Sequence, residues 1–253
     1  MEKELEKLYQ SLKIDTRKKA SPAEQISNQI QLLIRDKHLN AGDFLPSPMA
    51  LSKTLNIDAS IVQTAYQHLI DSVFVTVKNG AYEVVRLQMM EGFLRGFYSV
   101  FETFERHGFT PASEEIDASV VEKLPAQFSD IEARVKGPYI FQRRLYRVNG
   151  NPLFLVDFYN LPKYFEGHSL PLKDIDFLTY FKKELDHPMV HFSREVIAIK
   201  PTKEEAKHLN IPDQHAILGA KLINYDADHE PLNFSLWRGS LKFSFWLKTA
   251  IKN

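Results

Sequence analysis

Three arginines, Arg143, Arg144 and Arg147, fall within the run YIFQRRLYRVNGNPLFLVDFYNLP. Guanidinium groups bind carboxylates and phosphates through paired, charge-assisted hydrogen bonds. Side chains alternate along a strand, so Arg144 and Tyr146 share one face and Arg143 and Arg147 the other. Anion recognition is one fate for such residues; a solvated cross-strand ion pair is the commoner one. Other chemistries are poorly served. His107, His168, His187, His191, His208, His215 and His229 are scattered, with no pair at helical metal spacing and a third ligand nearby. No nucleophile elbow, phosphate loop or dinucleotide fingerprint is present. Cysteine is absent, which removes disulfides, thiolate sites and cysteine nucleophiles. The carboxylates of DIDFLTYFKKELDH alternate with apolar helix positions and read as a solvated face. No catalytic residue, metal or cofactor is expected.

The elements that must position these residues fall into two parts. Residues 1–20 read as a polar extension, a loosely docked helix with a Leu5, Leu8 and Leu12 stripe. Ser21, Pro22 and Glu24 are a cap, a first-turn proline and a capping-box partner. Ile26, Ile30, Leu33 and Ile34 then give one apolar helical face, ending near His38. In AGDFLPSPMALSKTLNIDASIVQTAYQHL, Ser47 caps a second helix, Asn56 ends it, and Asp58 or Ser60 caps a third. Val62, Ala65, Tyr66, Leu69 and Ile70 face inward from that third helix. Lys78-Asn79-Gly80 between apolar runs is a hairpin signal. Three helices and a hairpin predict a winged helix-turn-helix over residues 21–88. Beyond the joint RLQMMEGFLRG, residues 89–253 read as a mixed domain. Helices are expected in GFLRGFYSVFETFERHG, LPLKDIDFLTYFKKEL and TKEEAKHLN. Strands are expected in EEIDASVVEKL, around Asn149-Gly150, in MVHFSREVIAIKP and around residues 226–230. The fold class is α+β with a mainly antiparallel sheet.

Composition sets outer limits. The 253 residues carry 32 basic and 32 acidic side chains and 44% hydrophobic residues. That allows a packed core and excludes a chain that is basic throughout, though not a local basic patch. No run approaches the roughly 20 apolar residues of a membrane helix. The charged N-terminus lacks the apolar core of a signal peptide. A cytoplasmic protein is expected.

The chain resembles the GntR family of bacterial transcription regulators. The first amphipathic helix, AGDFLPS, the helix-turn-helix and the hairpin wing carry the likeness over residues 22–85. Residues 90–250 resemble the effector domain of the HutC-type branch, the UTRA domain, which has a chorismate-lyase-like fold. RVNGNPLFLVDFYNLP and IAIKPTKEEAKHLNIPDQHAILGAKLINYDADHEPLNFSLWRG carry that part. The resemblance implies a ligand-responsive regulator, in the first instance a repressor, that binds operator DNA as a homodimer and takes a small metabolite, by default a sugar phosphate. It implies no enzyme activity.

The sequence departs from the family where DNA is read. Met49 stands where an arginine follows Leu-Pro-Ser, and Asp58, Ala59 and Gln63 replace the usual Ser-Arg and later arginine. Residues 1–88 hold 11 basic and 10 acidic side chains. Ser47, Ser60, Gln63 and Thr64 remain as polar contacts to phosphate or an adenine edge, with Lys53, Lys78 and Asn79 at the backbone and minor groove. A metabolite-binding protein with a degenerate DNA-binding domain, acting through a protein partner, is the alternative.

For the effector site the resemblance implies Ser99 and Glu102, Arg144 with Tyr146 at a second arginine's place, Asp157, Asn233 where relatives have glutamate, and Trp237. Three have a plain structural reading beside them: a helix residue for Ser99, a surface ion pair for Arg144, core for Trp237. The count from Asp157 to Pro162 differs by about one residue from the family's. Trp246 and the phenylalanines of LKFSFW read as core or dimer surface.

Overall fold

A computed structural model describes residues 7–85, 99–106, 108–132, 135–168 and 177–239. Leu5, the joint at residues 86–92, the first half of each of the helices expected around residues 92–108 and 170–185, and Trp246 lie outside these residues. Contacts divide the chain into two units, Met1–Gln88 and Met89–Asn253.

The first unit is built from capped helices. Helix α1 (Pro22–Arg35) opens on a complete capping box between Ser21 and Glu24, which satisfies two amide donors that a helix start leaves open. It stops at Arg35, short of His38, because Lys37 turns left-handed at φ 62°. Helix α2 (Pro48–Leu55) is capped by Ser47 and closed by left-handed Asn56. Helix α3 (Ala59–Asp71) is capped by Asp58, whose carboxylate accepts from the Ser60 amide at 2.7 Å. Strands β1 (Val75–Lys78) and β2 (Ala81–Val84) are joined through Asn79 and Gly80, both at positive φ, as a primed hairpin turn requires. The AGDFLPS segment lies against β2 through an isolated bridge between Phe44 and Glu83. Its Leu45 amide donates to the Tyr82 carbonyl, and the Val84 amide donates to the Asp43 carbonyl. Ile26, Ile30, Leu51, Val62, Ala65, Tyr66 and Leu69 close the core. Full burial of each large aliphatic is worth about 1.5–3 kcal/mol. Tyr66 ties the parts together: its hydroxyl donates to the Pro46 carbonyl at 2.9 Å and its ring meets Tyr82 edge-on.

From residue 7 onward the extension is not loosely docked. Tyr9 and Leu12 are buried in the core, with Leu8 and Ile14 packed against it. Two glutamines of α1 grip its backbone. Gln29 accepts from the Lys13 amide and donates to the Lys13 carbonyl; Gln25 does the same for Asp15 and also donates to the Ala20 carbonyl. Each amide side chain acts like a short piece of neighbouring strand, and nothing in the polar composition of residues 1–20 signals it.

The second unit is a six-stranded antiparallel sheet. Its strands are β3 (Pro111–Val121), β4 (Tyr139–Val148), β5 (Asn151–Asn160), β6 (His191–Ile199), β7 (Ile217–Tyr225) and β8 (Pro231–Gly239), in the order β3-β4-β5-β8-β7-β6. Helix α4 (Val100–Arg106) follows Ser99, α5 is Ser129–Glu132, α6 is Phe177–Lys183 and α7 is Lys203–Leu209. One sheet face packs on α7 through Leu145, Leu155, Leu209 and Ile217, and on Phe128, which meets Tyr159 and Phe234 edge-on. The other face meets α4 through Phe101 and Tyr146, and α6 through Phe158 and Phe177, whose rings stack at 4.0 Å.

Candidate effector site and nucleic-acid interface

Register decides which side chains meet. Arg144 pairs with Glu115 on β3 and with Val156 on β5, and Val156 pairs with Trp237 on β8. Arg143 pairs with Asp157. Cross-strand partners share a face, so Arg144, Val156 and Trp237 form one row, and Asp157 faces the opposite way with Arg143. This corrects the grouping of Asp157 with Arg144 expected above. A one-residue shift in a strand sends a side chain to the other face.

The Arg144 face is dense in aromatics and amides. Arg144 is fully buried and donates to the Ser113 hydroxyl at 2.8 Å. Tyr146 stacks on Trp237 at 6.0 Å, Phe154 and Phe158 meet the same indole edge-on, and Trp237 donates to the Ser235 hydroxyl at 3.0 Å. One row along, Gln142 donates to Glu115. At the far end Asn224 donates to Asn233 at 2.7 Å, and Asn233 to Asn160 at 3.4 Å, all three buried. Asparagine is a poor strand former, so Asn160 and Asn224 carried a readable signal that sequence reasoning missed, as it did Ser113, Gln142 and Ser235. Ser99 is buried, and its hydroxyl accepts from the Glu102 amide as a helix cap. The Glu102 side chain is exposed and does not join the cluster.

The opposite face holds an ion network that sequence reasoning also missed. Arg143 donates to both Asp157 oxygens at 2.6 and 2.9 Å, and Arg238 reaches Asp157 at 2.9 Å. Glu205 lies 2.9 Å from Arg238 and 3.6 Å from Arg143. Its other oxygen accepts from the Thr202 amide, closing the capping box of α7. The hydrogen bond to Asp157 raises the pKa of Arg143, so its charge is fixed at any ordinary pH. Burial pushes the neighbouring Tyr159 phenol up to about 12. Four groups balance two positive and two negative charges where lone charges would be costly. Glu205 therefore anchors α7 to the sheet, through arginines that Asp157 holds.

In the first unit, Ser60, Gln63 and Thr64 lie exposed on α3 and Lys53 lies exposed on α2. Thr64 donates its hydroxyl to the Ser60 carbonyl, and Ser47 spends an oxygen lone pair on the Ala50 amide. Lys78 and Asn79 sit exposed at the wing tip, with Lys78 paired to Glu83 at 3.3 Å. Asp58 puts a carboxylate at the start of α3; the hydrogen bonds from Ser60 hold it below the usual carboxylate range, so it stays charged at neutral pH.

Among the described residues there is no group of three or more possible metal ligands and no helix long and apolar enough to cross a membrane. The model of the bacterial regulatory proteins of the gntR family matches residues 22–81, and that of the UTRA domain residues 106–240. PhnF from Mycobacterium smegmatis is similar in fold, with a TM-score of 0.56 at 13% identity over 90% of this chain and 100% of that one. The effector domain of the same protein gives 0.50 at 12% identity, over 56% of this chain and 88% of that one. No curated protein matches the chain in sequence. The two domain matches, in this order and with a likeness in fold that spans both, make the chain a member of the GntR family of transcription regulators, of the HutC type that carries a UTRA effector domain.

Proposed function

We propose that this ligand-responsive transcription regulator is a cytoplasmic repressor that binds its operator as a homodimer and releases it on binding a small anionic metabolite, by default a sugar phosphate. The observation that carries the reading is Arg144, a guanidinium buried at the centre of a sheet face beside Ser113. A buried arginine suits an anion, and the Tyr146–Trp237 stack and the Asn233 amide suit the ring and hydroxyls of a sugar. Two symmetric half-sites call for two copies of the reading helix. Asp157 and Glu102 are left out of the site, the first for its face and the second for its exposure.

The test is binding of the purified protein to duplex DNA from beside its own coding region, titrated against salt, with sedimentation of the complex. Tight, sequence-selective and salt-sensitive binding by two copies supports the reading. Weak binding, equal for every duplex, favours a second reading, in which the first unit docks a protein. Phe44 and Met49 lie exposed near α2, 51% and 59% accessible, and a protein partner would cover them.

A further inference from the structure

The helix-turn-helix is short of cations. From Ser47 to Ser72 the charged side chains are Lys53, Asp58 and Asp71, with His68 neutral at pH 7. Non-specific affinity for DNA comes from cations that displace counterions from phosphate. If this unit binds DNA, its cations sit elsewhere. They are concentrated just before α1, where Lys13, Arg17, Lys18 and Lys19 accompany a single carboxylate, Asp15.

This segment is shaped and fixed. Asp15 accepts from the Arg17 amide at 3.0 Å, and the Lys18 amide donates to the Asp15 carbonyl at 3.2 Å. That turn leaves Lys13, Arg17, Lys18 and Lys19 exposed. Arg17 reaches Asp15 at 3.0 Å yet its side chain stays 89% accessible. The grip of Gln25 and Gln29 on the backbone and the burial of Tyr9 and Leu12 lock the turn to the core. A cation held in place loses less freedom on contact than one on a loose tail. The turn leads directly into α1, which packs with α3 in one core. A basic segment ahead of the first helix is a known route to the groove next to the one a recognition helix occupies.

We propose that Arg17, Lys18 and Lys19, with Lys13, form a phosphate clamp on duplex DNA that replaces the backbone contacts missing from α2 and α3. The clamp rests on the DNA-binding reading above. It is sequence-independent, and it leaves base selection to Ser60, Gln63 and Thr64.

The experiment compares the full-length protein with the triple variant Arg17→Gln, Lys18→Gln, Lys19→Gln on the duplex from beside the coding region and on a mixed-sequence duplex, across a salt series. A second variant, Lys200→Gln, Lys203→Gln, Lys207→Gln, removes the same charge from exposed positions of the effector unit. Each phosphate contact contributes about 0.9 to the slope of log affinity against log salt. The clamp predicts a slope shallower by about 2–3 for the first variant on both duplexes, with an unchanged melting temperature, and the original slope for the second. An unchanged slope in the first variant, or an equal fall in both, overturns the clamp while leaving the DNA reading intact. No binding by the unaltered protein defeats the DNA reading and the clamp with it.

Discussion

Asp157 and Val156 differ by one position and lie on opposite faces of the sheet. The family likeness pointed to an acid near this place; the register puts valine opposite Arg144 and the acid into the network with Arg143 and Arg238. Sequence order alone does not settle this, because strand side chains alternate and a gap of one residue reverses the answer. Replacing Asp157 tests the assignment. Asp157→Asn leaves Arg238 and Arg143 with Glu205 as their remaining charged partner in the network. The expected loss is about 3–5 kcal/mol in urea unfolding, since one partner of a buried ion network is gone. Effector affinity of the folded fraction should stay unchanged; a selective loss of effector binding at full stability would put Asp157 back in the site. On the DNA side, Ala59→Arg restores a cation beside Asp58 at the start of α3. It should steepen the salt slope of DNA binding by about 0.9, and a slope that stays the same would mean α3 does not lie on the phosphates.

The helices were the most legible elements. Ser21, Ser47 and Thr202 cap the helices where their side-chain chemistry demands, and Asn56 and Asn210 end two of them left-handed. The hairpin at Asn79-Gly80 was equally readable. Residues 7–20 were not, because their docking depends on amides of α1 that leave no periodic mark in the sequence. Tyr9 reports on that docking. Burial, then the charge of Asp43, push its phenol up from 10 to about 12. The folded state therefore holds this proton more tightly than the unfolded chain does. The stabilisation is complete below pH 10 and is lost as pH rises towards 12. Urea unfolding of the first unit at pH 9 and pH 11 should show that fall, and Tyr9→Phe should lessen it. The same change should cost nothing at neutral pH, because the Tyr9 hydroxyl is buried without a hydrogen-bond partner among the described residues. A large loss at pH 7 would mean that the hydroxyl has a structural task.

For the whole molecule, the chain joins a DNA-reading unit to an effector unit, and regulation requires that one ligand change the affinity for the other. Within the effector unit, the sheet links its two faces through neighbouring residues. Arg143 and Arg144, Val156 and Asp157, and Trp237 and Arg238 are neighbours on three adjacent strands that face opposite ways. A ligand held by Arg144 or Trp237, as proposed above, would lie one residue along the chain from the Asp157 network that joins α7 to the sheet. A response follows only if the ligand prefers one arrangement of the regulator over another. The most direct measurement is the affinity of the full-length protein for its upstream duplex, with and without a panel of sugar phosphates, for the unaltered chain and for Arg144→Gln. The account predicts that at least one sugar phosphate weakens DNA binding by tenfold or more in the unaltered chain. It predicts that Arg144→Gln binds the duplex as before and no longer responds. A response that survives Arg144→Gln, or DNA binding indifferent to every anion tried, would contradict it.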